Sequence, residues 1–196
     1  MIYTTLNKIK KYNPCRKRWM MLLHKLKKTK ADDETLALIT ILDLMGLNDT
    51  LWALGAAPEY NKEWKLYAVW CAKQIQHLMT DPRSINMLEV AEKYVNGKAT
   101  LKELTAAKTA AKTVGAVSRT VIETVEWAVR AVETAETVET VSWAIVETAA
   151  WAVEAVEAVE TVEWTETVEW TVAEETARAA QEVELRRVIT MGGKNE

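Results

Sequence analysis

The sequence predicts an all-α protein: a small N-terminal helical bundle followed by long repeat-containing helices folded back as a hairpin or bundle. Three observations carry this. Between Ala116 and Met191 there is no Gly, Pro, Asn or Asp, so the residues that usually turn a chain are missing. Upstream, apolar residues recur at helical spacing between short punctuating turns. In the late tract Glu falls every third residue at Glu154, Glu157, Glu160, Glu163, Glu166 and Glu169. As a strand, that period would put acid on both faces and leave neither apolar.

Charge divides the chain as well. Residues 1–113 carry 19 Lys and Arg against 11 Asp and Glu, and residues 114–196 carry 6 against 17, so the net −3 hides two opposed halves. We read a basic helical bundle over 1–98, an acidic Val/Thr/Glu/Trp repeat region over 99–190 and a frayed tail over 191–196. Oppositely charged halves can attract each other or face different partners.

Between Met1 and Lys30 there are ten Lys and Arg and no acid. Thr5–Tyr12 suits a short helix, and Pro14 opens a second that reaches Leu26, with Trp19, Leu22, Leu23 and Leu26 on one face. Asp32 or Asp33 is placed to cap the next helix, Thr35–Met45, which Gly46 ends. A shorter helix starts at Asn48 or Asp49, carries Leu51, Trp52 and Leu54, and stops at Gly55 and Pro58. Glu59–Met79 reads as one continuous helix. Trp64, Tyr67, Ala68, Cys71, Ile75 and Leu78 form its apolar stripe, and Leu66, Val69 and Trp70 widen the stripe enough to imply burial on more than one side. His77 near its end suits a helix C-terminus or a core hydrogen bond. Asp81-Pro82 is a strong helix start, and that helix continues through Met87, Leu88, Ala91 and Tyr94 to Asn96-Gly97. Thr100 and Glu103 match a capping box, and Gly115 is the last interior break.

In the tract itself, three residues advance only about 300° around a helix, so successive Glu precess and no single apolar stripe is expected. Trp127, Trp143, Trp151, Trp164 and Trp170 are spread around the axis in the same way. Each can bury on the order of 200 Å², so the tract should fold back on neighbours. The segment Val132–Trp143 is the candidate bend.

Three segments carry a resemblance to a known family: YNKEWKLYAVWCAKQIQHLMTDPRSINMLEVAEKYVNGKAT over Tyr60–Thr100, TTLNKIKKYNPCRKRWMMLLHKLKKTKADDE over Thr4–Glu34, and ARAAQEVELRR over Ala177–Arg187. Together they resemble phage and bacterial immunity proteins similar to immunity type five of polymorphic toxin loci. Those proteins carry an Ala and Trp rich repeat where this chain has Val, Thr and Glu. The resemblance implies a mostly helical protein in a phage or prophage setting, and it brings no catalytic residues with it.

The chemistry on offer points to binding. The two His, His24 and His77, stand apart from any Cys cluster. There is no glycine-rich phosphate loop, and no Glu-x-x-His pair of the kind that holds metals in bundles. We expect no enzyme, no cofactor and no metal. Cys15 and Cys71 lack metal or redox spacing and are both expected in the core. No signal peptide or membrane span is expected, so the chain is read as cytoplasmic, in the host cell if phage-encoded.

Three partner classes remain. A protein partner, a toxin or a host defence protein, would be held through the tract Trp residues, since Trp is enriched at binding hot spots. A nucleic acid would be tracked by Lys8, Lys10, Lys11, Arg16, Lys17, Arg18, Lys25, Lys27 and Lys28. A homo-oligomer would supply the tract with the apolar neighbour it lacks.

Overall fold

The computed structural model describes residues 1–111, 119–133, 138–160 and 167–192; in the last three stretches the side chains described are those of 123–132, 144–155 and 174–192. The chain is all-α, with ten α-helices and one two-stranded ribbon among the described residues. Gly115, Glu163 and Glu166 of the Glu triplet run and the centre of the expected bend lie outside the described residues, and of that run only the Glu154 side chain is described.

The ribbon is the first departure from the expected helices. Strand β1 (Tyr3–Thr5) pairs antiparallel with β2 (Thr35–Ala37), with Tyr3 opposite Ala37 and Thr5 opposite Thr35. Each strand runs straight into a helix, α1 (Leu6–Lys10) and α3 (Leu38–Met45). The threonines explain the change, because β-branched side chains favour extended backbone and a Thr can end a strand and cap a helix at once. Thr5 does both: its hydroxyl accepts the Lys8 N–H at 3.1 Å. The Thr4 hydroxyl, buried, donates to the Ala56 carbonyl at 2.7 Å. The expected Asp32 or Asp33 cap is corrected too. Asp32 instead accepts the Glu34 N–H at 3.2 Å and pairs with Lys28, and α3 follows Ala37 without a side-chain cap.

Helix α2 (Arg16–Lys25) ends in a Schellman motif, with the Lys28 N–H on Leu23 O at 2.9 Å and the Lys27 N–H on His24 O at 3.0 Å. Lys27 takes the left-handed position at φ 56°. Gly46, at φ 82° and ψ −178°, separates α3 from α4 (Leu47–Ala53) in a conformation that only glycine adopts without strain. Two 3₁₀ turns lead to α5 (Asn61–Gln74). The helix expected to run to Met79 therefore stops five residues early and passes through a 3₁₀ turn at Gln76–Leu78. Pro82 holds Asp81 extended, at φ −95° and ψ 123°, which keeps α5 from running on into the next helix, and the turn ahead of it is the tighter 3₁₀ form common at helix ends. His77 is exposed in that turn rather than hydrogen-bonded in the core.

The next two helix starts form as expected. Asp81 accepts the Arg83 N–H at 2.8 Å and opens α6 (Pro82–Val95). Thr100 and Glu103 close a reciprocal box at the start of α7 (Leu101–Ala111), at 3.3 and 2.7 Å. Caps of this kind contribute about 1 kcal/mol each. The acidic tract supplies α8 (Arg119–Glu133), α9 (Val138–Glu160) and α10 (Thr167–Met191).

Helices α8 and α9 pack on each other more extensively than any other pair. Only four residues separate them, a reach of roughly 15 Å, which is shorter than α8 itself at about 1.5 Å per residue. They must therefore run antiparallel. Helix α5 lies in the middle of the molecule and has two working faces. Trp64, Tyr67, Ala68 and Cys71 join a core cluster with Ile2, Leu54, Ile145, Leu185 and Ile189. Val69, Ala72 and Ile75 join a second cluster with Leu88, Leu104, Val125, Val129 and Ala152. Both clusters draw on the basic N-terminal portion and on the acidic tract.

The expectation that the tract keeps no single apolar stripe is overturned over 144–155. Ala144, Ile145, Thr148, Ala149, Ala152 and Val153 are buried. Glu147, Ala150, Trp151 and Glu154 fall at i, i+3, i+4 and i+7 on the outer face. The triplet is interrupted here: Glu147 and Glu154 are seven residues apart and share a face. Buried Thr148 satisfies its hydroxyl on the Ala144 carbonyl at 2.7 Å, so it packs as a valine would.

Polar bonds lock α10 to the centre. The Gln181 amide donates to Ala149 O at 2.9 Å, and the Tyr67 hydroxyl donates to Gln181 O at 3.1 Å. The Ile2 N–H donates to Ile189 O at 2.9 Å, which ties the two ends of the chain together. Met191, expected in the tail over 191–196, instead ends α10, and Gly192 is so close to the N-terminus that a Cβ there would lie 2.7 Å from Ile2 Cδ1; residues 193–196 lie outside those described. No described helix is long and apolar enough to cross a membrane.

Candidate binding site

A cavity of about 290 Å³ opens where α1, α2, α3 and α4 meet α9. Its apolar wall comes from Ile9, Trp19, Leu22, Ile41, Met45, Trp52 and Ala53, with Val146 of the acidic tract also lining it. Helical spacing explains the wall: Trp19 and Leu22 share one face of α2, and Ile41 and Met45 share one face of α3. Pro14 and four polar residues, Cys15, Arg18, Asn48 and Asp49, complete the lining.

Arg18 Nε lies 3.3 Å from Asp49 Oδ1, with Asp49 only 18% exposed and Arg18 half exposed. The other oxygen, Asp49 Oδ2, is buried without a hydrogen-bond partner. Burial raises the Asp49 carboxyl pKa, against the opposing pull of Arg18 and then Lys25. A buried, unbonded oxygen of this kind costs about 1–3 kcal/mol in a folded protein.

Cys15 stands at the N-cap of α2. Its thiol pKa is lowered by hydrogen bonds from the Arg18 and then the Lys17 backbone N–H. The expectation that both cysteines are core residues therefore holds only for Cys71: Cys15 is exposed and Cys71 is buried. Burial pushes the Cys71 thiol up to about 12, so at neutral pH it is both protonated and inaccessible. N-Ethylmaleimide should therefore modify Cys15 in the native protein and leave Cys71 untouched until denaturant is added. Intact mass followed by peptide mapping checks this, and native labelling at Cys71 would contradict the packing.

The nine basic residues singled out in the sequence separate into two groups. Lys8 pairs with Glu59 at 3.4 Å, Arg18 with Asp49, and Lys28 with Asp32 and Glu34, while Lys25 donates to the Leu44 carbonyl. Lys10, Lys11, Arg16, Lys17 and Lys27 are exposed, and among the described residues none of them has a carboxylate at ion-pair distance. Arg16 and Lys17 lie between Cys15 and Arg18 in the first turn of α2, and neither lines the cavity. Lys10 and Lys11 share a shallow depression with Asn7 and Asp33.

Neither of the tract tryptophans whose side chains are described, Trp127 and Trp151, lines this cavity. Trp127 is half-buried against the main core, with the Arg130 guanidinium 5.0 Å from its ring centroid. Trp151 is half-buried on the outer face of α9 and donates to Glu147 at 3.2 Å. Trp143 and Trp170 belong to α9 and α10, with side chains outside those described, and Trp164 lies outside the described residues. Trp19, Trp52, Cys15 and Asp49 line the cavity, whereas the sequence pointed to them as core or helix-start residues and not as a site. Their only sequence signal was the apolar face of α2 and the short α4, since nothing local links Arg18 to Asp49. Among the described residues no cluster of His, Cys, Asp and Glu could hold a metal ion. Compared with models of protein families, with curated proteins and with solved structures, the chain finds no match in any of the three.

Proposed function

We propose that this protein is a non-catalytic binding module whose basic α1–α2 face holds an acidic protein partner, in the manner of an immunity or counter-defence protein that occupies a toxin or a host defence protein. The observation that carries the reading is that α2, which with its N-cap gives Cys15, Arg18, Trp19 and Leu22 to the apolar cavity, also carries the exposed, unpaired Arg16 and Lys17. Charges around a rim steer an opposite charge and set its register, while a desolvated apolar centre supplies most of the affinity. The resemblance to immunity proteins supports the class of partner. A nucleic acid would use the same cations and is the competing outcome of the test.

The test compares the native protein with a Lys10→Glu, Lys11→Glu, Arg16→Glu, Lys17→Glu variant. These are exposed positions, where substitutions usually change stability by less than about 0.5 kcal/mol each. Tagged protein is used to capture partners from nuclease-treated bacterial lysate. The expected result is an acidic protein that the native form retains, the variant loses, and rising salt releases. Retention by both forms would move the site elsewhere. Recovery of only nuclease-sensitive material, with a steep salt dependence, would favour nucleic acid.

A further inference from the structure

The two halves of the chain share one core, yet charges of opposite sign are left apart on the surface around the mouth of the cavity. One wall carries the first turn of α2, where Arg16 and Lys17 are exposed and, among the described residues, have no carboxylate at ion-pair distance. Another wall is α9, which reaches the cavity at Val146. From there its outer face runs on along the helix, because Val146, Ala150 and Glu154 follow at i, i+4 and i+8 with Glu147 and Trp151 beside them. Glu154 therefore lies about 12 Å along the axis from Val146. The face is uncovered: Ala150 and Glu154 are exposed, and Glu147 and Trp151 are half-buried. Glu147 accepts the Trp151 indole N–H at 3.2 Å, and neither Glu147 nor Glu154 has a Lys or Arg at ion-pair distance among the described residues.

Cations, an open apolar mouth and carboxylates thus share one surface. Such a surface complements itself, because a two-fold axis through the mouth sets the cations of each copy on the carboxylates of the other and joins the two apolar openings. Resting on the binding-module reading, we propose that this surface is covered, in the free protein, by a second copy of the chain, with Arg16 and Lys17 of each copy on the α9 outer face of the other. The Trp151 ring beside those carboxylates gives the Arg16 guanidinium a face to stack on. An acidic partner then binds by displacing the second copy, so self-association regulates the site.

The experiment is sedimentation velocity on the full chain, from low micromolar to about 1 mM and across a salt series. A dimer should form as concentration rises and dissociate as salt screens the paired charges. Two variants each reverse one charged face: Arg16→Glu with Lys17→Glu, and Ala150→Lys with Glu154→Lys, all at exposed positions where substitutions seldom disturb folding. Each alone should dimerise at least about tenfold more weakly than the native protein, because it sets like charges against each other. Mixed in equal amounts they should associate again, since each then meets a face of opposite charge. As the native dimer forms, N-ethylmaleimide should alkylate Cys15 more slowly, because Cys15 lines the covered mouth. A native chain that stays monomeric throughout overturns the second copy, while an acidic protein captured from lysate would still uphold the acidic-partner reading. A dimer that salt does not weaken, or a mixture no better than its components, overturns the charge pairing. A dimer with an unchanged Cys15 rate places the interface away from the cavity and overturns the assignment as well. A salt-sensitive dimer that captures no acidic protein would overturn the foreign partner and keep the second copy.

Discussion

Replacing Trp64 by alanine should cost about 3–5 kcal/mol of stability, a large share of the roughly 5–15 kcal/mol that holds a typical domain. Trp64 is 1% exposed and packs in the core cluster that joins the N-terminal ribbon, α3, α4, α9 and α10. Its ring tilts against Tyr60 at 6.2 Å between centroids. Its Nε1 donates to the Ala57 carbonyl at 3.0 Å, in the loop between the two 3₁₀ turns. Truncation therefore leaves a cavity in the core and also removes one of the two donors of that buried carbonyl, which keeps the Tyr60 N–H at 3.2 Å. Trp64→Phe separates the two effects, since it keeps much of the volume and loses the hydrogen bond. It should cost clearly less than Trp64→Ala, but more than an exposed substitution. Urea unfolding followed by circular dichroism gives both numbers. A loss under about 1 kcal/mol for Trp64→Ala would contradict the packing described for α5.

What could be read from the sequence was what is encoded locally. Asp81-Pro82, the Thr100 and Glu103 box, and Gly46 each act within one turn of chain, and each forms as expected. The stripe on α5 was legible for the same reason, including its spread onto two faces. The ribbon was not, because Thr4 and Leu36 pair across a long separation and each strand is only three residues long. The end of α5 was missed because the apolar spacing of Ile75 and Leu78 continues through the 3₁₀ turn that follows Gln74, where side-chain periodicity alone does not distinguish the two helix types. In the tract, the regular run after Glu154 dominated the reading. The stripe at Ala144, Ile145, Thr148 and Ala149 was overlooked because it is built from Ala and Thr, whose burial depends on neighbours rather than on hydrophobicity. The cavity was the least legible feature. Arg18 and Asp49 meet only once α2 and α4 have packed, and the unbonded oxygen of Asp49 is a property of that packing.

The second large effect is expected at the join between the two oppositely charged halves. Ile145 of α9 is fully buried and shares its cluster with Ile2, Leu38, Leu54 and Leu185. An aspartate there would place a carboxylate among side chains that offer it no donor, at a cost of several kcal/mol whether it stays ionised or takes up a proton. Ile145→Asp should therefore abolish cooperative folding at 25 °C. Ala150→Lys, on the exposed face of the same helix between Glu147 and Glu154, should change stability by less than about 0.5 kcal/mol, because it adds opposite-charge neighbours at i−3 and i+4. The informative readout is the indole N–H signals of Trp19, Trp52 and Trp64 in a proton–nitrogen correlation spectrum, since all three belong to the N-terminal portion. If α9 is structural to the whole molecule, as the shared core requires, these signals collapse together with the helical dichroism in Ile145→Asp. If they keep their native dispersion while the tract melts, residues 1–98 form a bundle that folds by itself, and the acidic helices are an addition to it rather than half of its core.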